Sequence, residues 1–197
     1  MNCLPSQELS FGEVDKMAKK IVVLTGSPRK NGNSIAMAEA FIAAAKNQGH
    51  QVTRFDTAQL QINGCRACET CFSKGQACSF DDDFNKIAPA IEEADVIVFS
   101  MPVYWYTMPA QIKAPIDKLF SFVVGKRDIA GKRCALLACC EEDDLSVLDG
   151  VLMPYQKSIS LLKWTSIGEV LVPGVYAPGD IDKTDGKAQA AALVEVI

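Results

Sequence analysis

Apolar and polar positions follow two rhythms along this chain. Apolar runs at residues 21–24, 95–99 and 134–138, with the more mixed stretches 52–56 and 167–172, read as strands, and the nearly pure run 95–99 has the composition of a strand buried on both faces of a parallel sheet. Between the runs, apolar residues recur at helical spacing. Ile35, Ala38, Phe41, Ile42 and Ala45 define a first helix that Gly49 stops. Further helices are expected over 82–94, over 110–122 with Ile112, Ile116, Leu119 and Phe120 turned inward, over 145–162 with a break at Pro154, and over 187–196. Residues 1–18 are polar and weakly periodic. They are expected to form an extension, loose or reaching a neighbouring subunit, ahead of one ordered domain over 19–197.

Strands that alternate with helices along the whole chain imply right-handed β-α-β units. The expected fold class is α/β, a three-layer α/β/α sandwich around a five-stranded parallel sheet. Its economical strand order is 2-1-3-4-5. In such sheets ligands sit beyond the carboxyl ends of the strands where the order reverses, here between strands 1 and 3.

The first strand runs into that point through Gly26-Ser27-Pro28-Arg29-Lys30-Asn31-Gly32-Asn33-Ser34. The N–H groups at the start of the following helix, together with its dipole, make an anion cradle. Ser27, Asn31, Asn33 and Ser34 add neutral donors and Arg29 a fixed charge. No G-x-x-x-x-G-K-[ST] and no G-x-G-x-x-G is present, so the loop suits one phosphomonoester better than a nucleoside triphosphate. An ordinary capped turn would have the same composition.

The loop after the third strand, Ser100-Met101-Pro102-Val103-Tyr104-Trp105-Tyr106-Thr107-Met108-Pro109, brings three successive aromatics to the same edge. At least one of them must line the cleft or the surface. Apolar and aromatic surface beside a phosphate cradle fits a ligand with a flat ring at one end and a phosphate at the other, the shape of FMN. Packing of Tyr104 and Trp105 against a helix or a second subunit is the competing reading.

Taken with Gln111-Ile112-Lys113 and Asp117-Lys118, these segments resemble the NADPH-dependent FMN reductases and the related iron–sulfur flavoproteins over about residues 19–125. The resemblance implies a flavodoxin-like fold that binds FMN, with Ser27, Arg29, Asn31, Gly32, Asn33 and Ser34 at the phosphate and Pro102, Val103, Tyr104, Trp105 and Tyr106 facing the ring. It implies an oxidoreductase that takes electrons from NAD(P)H and passes them to a flavin, quinone or similar acceptor, usually as a homodimer or homotetramer. The alternative is an electron carrier that serves a protein partner; a third reading is a sensor of FMN or redox state. No acid–base catalytic residue is implied, because the redox chemistry belongs to the flavin. One departure from the family pattern is Cys139-Cys140-Glu141-Glu142-Asp143-Asp144, whose acids would repel a dinucleotide phosphate or form a solvated face.

Cys65, Cys68, Cys71 and Cys78 have the compact spacing C-x-x-C-x-x-C-x-x-x-x-x-x-C. Three readings remain open: a [4Fe–4S] cluster of the kind the iron–sulfur flavoprotein branch holds on such a motif, a four-thiolate zinc site, and no metal. Cys3, Cys134, Cys139 and Cys140 read as ordinary thiols, the last two near the cleft. Asp81-Asp82-Asp83 reads as a cap for the following helix, and His50, the single histidine, as a turn residue.

A formal net charge of −4 argues against nucleic acid as a partner, and Lys126, Arg127, Lys132 and Arg133 read as a solvated loop. No apolar run reaches the length of a membrane span and the first twenty residues lack a signal-peptide stretch, so a cytoplasmic location is expected.

Overall fold

The computed structural model describes residues 17–197. The expected extension over 1–18 and Cys3 therefore lie outside the described residues, apart from Met17 and Ala18, which are exposed. All five expected segments are strands: β1 (Lys20–Thr25), β2 (Gln51–Asp56), β3 (Val96–Pro102), β4 (Arg133–Cys139) and β5 (Thr165–Val172). They pair in parallel in the order β2-β1-β3-β4-β5. β1, β3 and β4 are buried almost throughout, which is why their sequences are unbroken apolar runs, whereas the edge strands β2 and β5 are only partly covered.

Side chains alternate between two cores. Ile21, Val23, Val98 and Leu137 face one layer, which holds α1 (Asn33–Asn47) and α6 (Gly186–Ala192). Val22, Leu24, Phe99 and Leu136 face the other. That second layer is built from α2 (Phe84–Glu93), α3 (Ala110–Lys118), α4 (Phe120–Val124) and α5 (Asp149–Leu162). The period of two along each strand thus decides which helix layer each residue meets.

Four expectations are corrected. The helix expected over 110–122 divides at Leu119 into α3 and α4; Leu119 and Phe122 take the inner positions, and Phe120, one step further round, is 42% exposed. α5 runs unbroken through Pro154. Proline removes the N–H that would bond the Gly150 carbonyl one turn earlier, and that carbonyl instead accepts the Thr107 hydroxyl at 3.0 Å. The last helix closes as a 3-10 turn over Leu193–Val196. Finally, Lys132 is not solvated: its ammonium donates to the carbonyls of Glu92 (2.9 Å) and Ala94 (2.7 Å). Arg127 beside it pairs with Glu92. His50 is buried at its turn, where Nδ1 accepts the Lys19 N–H. No helix among the described residues is long and apolar enough to cross a membrane.

Candidate functional site

At the carboxyl end of β1 the chain turns under α3 before it enters α1. The Gly26 N–H donates to the Ser100 carbonyl at 2.8 Å, which fastens the loop to β3. A Cβ on Gly26 would lie 2.8 Å from Ile112 Cγ2 and 3.2 Å from Met101 Cβ, so the crossing requires glycine. A Cβ on Gly32 would likewise crowd Ser27 Oγ, at 3.0 Å. The Arg29 N–H donates to that same Ser27 oxygen at 3.2 Å. Gly32 caps α1 without a side chain, and the first turn carries no acid. The first N–H groups of α1 therefore carry the positive end of the helix dipole toward the loop, that of Ser34 donating to the Cys139 sulfur.

These residues form one wall of a cavity of about 240 Å³. Ser27, Arg29, Gly32, Asn33 and Ser34 line it, as do Pro102, Val103, Tyr104 and Trp105 from the loop after β3. Asn31 and Tyr106 stand outside it. Cys139, Cys140 and Glu141 close a third side, from the end of β4. The fourth side is Val175, Tyr176 and Pro178, a loop after β5 that sequence reasoning missed. Its signal was an aromatic followed by the Pro178-Gly179 turn at a fourth strand end of the same edge.

Several polar groups of the lining are already engaged, and one buried hydroxyl is not. The Asn33 amide holds the missed loop, donating to the Ala177 carbonyl (3.0 Å) and accepting the Ile181 N–H (3.3 Å), so it builds the wall. The Arg29 guanidinium donates to the Tyr176 carbonyl at 3.2 Å and lies 5.5 Å from that ring's centre. Ser34 Oγ is different: it is buried and has no hydrogen-bond partner. A buried hydroxyl left unpaired costs about 1–3 kcal/mol, so this atom marks a place for an acceptor.

The walls around the cradle carry little charge. Burial pushes the Cys139 thiol up to about 12. Burial and then the Glu142 carboxylate also raise Cys140, whose thiol donates to the Glu142 carbonyl at 3.3 Å. Both stay protonated at neutral pH. Asp144 caps the short turn before α5 by accepting the Ser146 N–H and hydroxyl, which hold its carboxyl below the usual range. Of the four consecutive acids, only Glu141 reaches the cavity.

Tyr104 and Thr107 exchange N–H···O bonds of 2.9 and 3.1 Å, closing a tight turn with Trp105 and Tyr106 at its tip. Both tip residues adopt left-handed backbone, φ 47° and 63°. Non-glycine residues pay roughly 1–2 kcal/mol each for that conformation, and the turn thrusts Trp105 out to 93% exposure at the cavity mouth.

A second cavity, of about 130 Å³, lies in the irregular segment between β2 and α2, and Cys65, Cys68, Cys71 and Cys78 all line it. Ala67, Glu69 and Phe72, which alternate with the cysteines, have left-handed φ of 50°, 56° and 60°. The Thr70 hydroxyl, 3.1 Å from the Cys68 sulfur, lowers that thiol below its ordinary range. Cys71 is raised, first by burial and then by the other three cysteines, whose charges it feels. Among the described residues, no three Cys, His, Asp or Glu side chains are placed to hold a single metal ion.

Both ends of the segment are pinned. The Asp82 carboxylate accepts the N–H groups of Phe84 (3.0 Å) and Asn63 (3.2 Å), and Asp83 accepts that of Gln61 (2.8 Å). Asn85 accepts the Cys78 N–H at 2.8 Å and donates to its carbonyl at 3.1 Å. Of the three acids expected to cap α2, only Asp82 accepts an N–H at its start, the N-cap Asp83 making no side-chain capping bond, and Asp82 and Asp83 tie the start of the cysteine segment to the helix.

A family model described as NADPH-dependent FMN reductase matches residues 19–152. An iron-sulfur flavoprotein of Archaeoglobus fulgidus is 35% identical over 103 residues, 52% of this chain and 46% of that protein. One of Methanosarcina thermophila is 33% identical over 99 residues, 50% and 51% respectively. The chain spans about half the length of the curated relatives it matches. Among solved structures, an NAD(P)H:quinone oxidoreductase from Methanothermobacter marburgensis superposes with a TM-score of 0.67 at 17% identity, covering 90% of this chain and 96% of that one. An FMN-dependent NADH-azoreductase from Bacillus anthracis in complex with FMN gives 0.68 at 12% identity, covering 90% and 98%. At these identities the structural likeness establishes the fold, which is flavodoxin-like.

Proposed function

The chain belongs to the NADPH-dependent FMN reductase family, and from that premise we propose that it is an FMN-dependent oxidoreductase that draws electrons from NAD(P)H and delivers them to a flavin, quinone or similar small acceptor. The observation that carries this reading is the unpartnered Ser34 hydroxyl, buried on the cavity wall at the start of α1. A phosphate there would receive Ser34, Ser27 and the first-turn N–H groups, with Arg29 completing the charge balance from the rim. Bound FMN would supply hydride and single-electron chemistry at its ring.

The residues of this chain bind and orient. Pro102 to Trp105 would lie along one side of the ring and Tyr176 would close the rim. The protonated Cys139 and Cys140 keep the inner wall neutral, so electrons placed on the ring meet no adjacent negative charge from them. Glu141 sets a negative charge where a dinucleotide would enter, which bears on the choice between NADH and NADPH.

The second cavity favours a companion reading, in which the chain passes electrons to a protein partner through a [4Fe–4S] cluster on Cys65, Cys68, Cys71 and Cys78. Four thiols line one cavity of about 130 Å³, and the relatives are named iron-sulfur flavoproteins, which favours a cluster over zinc on these cysteines. α3 links the two cavities: Ile112 packs on Gly26 of the cradle and Lys118 lines the cysteine cavity. At nine residues this helix is about 13 Å long. Exposed Phe120, Val123, Met153 and Leu161 around α4 and α5 fit assembly into a homo-oligomer.

The test is the absorption spectrum and iron content of anaerobically purified protein, followed by oxidation of NADPH and NADH with excess free FMN or a quinone. Flavin bands with turnover support the reductase. Flavin and iron without turnover on either donor support the carrier, and a protein that takes up no flavin overturns both.

A further inference from the structure

The cysteine cavity contains a cation that nothing in the flavin reading requires. Lys118, the last residue of α3, is 4% exposed. A lysine is seldom buried unless its charge is matched. Its ammonium contacts three groups: the Asp82 carboxylate, the Cys78 sulfur at 3.7 Å, and the Phe84 ring, whose centre lies 5.9 Å away. The Asp82 side chain is 2% exposed and is itself held by the N–H groups of Phe84 and Asn63. The pair is therefore a fixed dipole with its positive end against one of the four thiols.

Other charges on this cavity are differently placed. Arg66 is exposed and lies 4.8 Å from the centre of the Phe80 ring, and Glu69 and Asp81 are exposed as well. Solvent screens those three far more than it screens Lys118. One position back on α3, the half-exposed Asp117 pairs with Lys113 at 2.5 Å, so the neighbouring acid does not cancel the lysine.

We propose that Lys118 is a positioning residue that sets the reduction potential of the cysteine-bound centre, raising it through its charge and its hydrogen bond to the Cys78 sulfur. This rests on the cluster reading above. When the centre gains one electron its negative charge increases by one, and a buried ammonium at sulfur-contact distance stabilises the reduced form more than the oxidised one. Hydrogen bonds to ligand sulfur act in the same direction. A role confined to pinning the segment to α3 would leave the potential unmoved.

The test is a dithionite titration of anaerobically reconstituted full-length protein, followed by electron paramagnetic resonance, with iron content measured on each sample. Lys118→Met is combined with Asp82→Asn so that no buried carboxylate is left unpaired. At the wild-type midpoint, this double variant is expected to shift the oxidised-to-reduced ratio at least tenfold toward oxidised, about 59 mV for a one-electron couple. Lys118→Arg is expected to stay within threefold of wild type. Asp82→Asn alone leaves the ammonium uncompensated and is expected to move the ratio the other way, which keeps the proposal testable if the double variant loses iron. Unchanged ratios in iron-loaded variants overturn the role of Lys118 alone. Wild-type protein that takes up no iron overturns the cluster reading and this inference with it.

Discussion

Replacing Ser34 by alanine separates the energetics of the empty and filled cradle, because its two effects have opposite signs. In the protein without ligand, Ser34 Oγ is buried and unpaired while the Ser34 carbonyl accepts the Ser100 hydroxyl at 2.8 Å, a bond the substitution leaves intact. Removing the hydroxyl relieves a desolvation penalty of about 1–3 kcal/mol, offset in part by the small void it leaves. The net expectation is a gain of about 0–1 kcal/mol, or up to roughly 4 °C in melting temperature for a chain of this size.

With FMN present the hydroxyl would donate to a phosphate, and a bond to a charged group contributes about 1.5–3 kcal/mol. Its loss is expected to weaken FMN binding by about 10- to 150-fold. Since a ligand stabilises by RT ln(1 + L/Kd), L being its free concentration, the melting-temperature rise at a fixed FMN concentration shrinks as Kd grows. The assay is thermal unfolding of apo and FMN-saturated protein together with titration by quenching of flavin fluorescence. An apo variant that melts lower than wild type while binding FMN equally well would rule out a phosphate-binding role for this hydroxyl.

Gly26→Ala drives a Cβ into Ile112 and Met101 and is expected to cost about 1–3 kcal/mol of stability and much of the flavin affinity, read by the same two assays. Asn33→Ala unpairs the Ala177 carbonyl and the Ile181 N–H at once; about 1–3 kcal/mol is expected to be lost, with the Tyr176 loop exchanging its amide protons faster than the strands do. Asp180 accepts the N–H groups of Tyr176 and Ala177 and pairs with Lys183, which, led by the lysine, holds its carboxyl below the ordinary 3.8. A depressed acid contributes stability above its unfolded value and loses it as pH falls through the folded value. The rim loop is therefore expected to loosen only below about pH 4, seen as a fall in FMN affinity there and none between pH 5 and 8. If the four cysteines hold the proposed cluster, iron chelation under reducing conditions is expected to bleach it and leave the flavin bands, since the two cavities share no lining residue.

The sheet was legible because β1, β3 and β4 are buried on both faces and so write unbroken apolar runs into the chain. The cradle was legible because its glycines, serines and amides are consecutive. What escaped notice depends on residues distant in sequence. Pro154 looks like a helix break until Thr107 supplies a donor for the stranded carbonyl, and that donor is 43 residues away from Gly150. Asn33 reads as a ligand donor, yet its partners lie 144 and 148 residues downstream, where they fix the unforeseen Tyr176 loop. Asp82 reads as a helix cap and Lys118, 36 residues away, as part of the family resemblance; only the packing of α3 against the cysteine segment makes them a buried pair. The periodicity that placed Phe120 inward failed because the helix divides at Leu119.

The claim at the centre of this account is that the loop from Gly26 to Ser34 holds the phosphate of a flavin. Equilibrium titration of the apoprotein with FMN and with riboflavin, which differ only by that phosphate, tests it most directly. FMN is expected to bind at least a hundredfold more tightly, the equivalent of about 2.7 kcal/mol from the phosphate contacts. Equal affinity for the two would place the phosphate elsewhere and contradict the account.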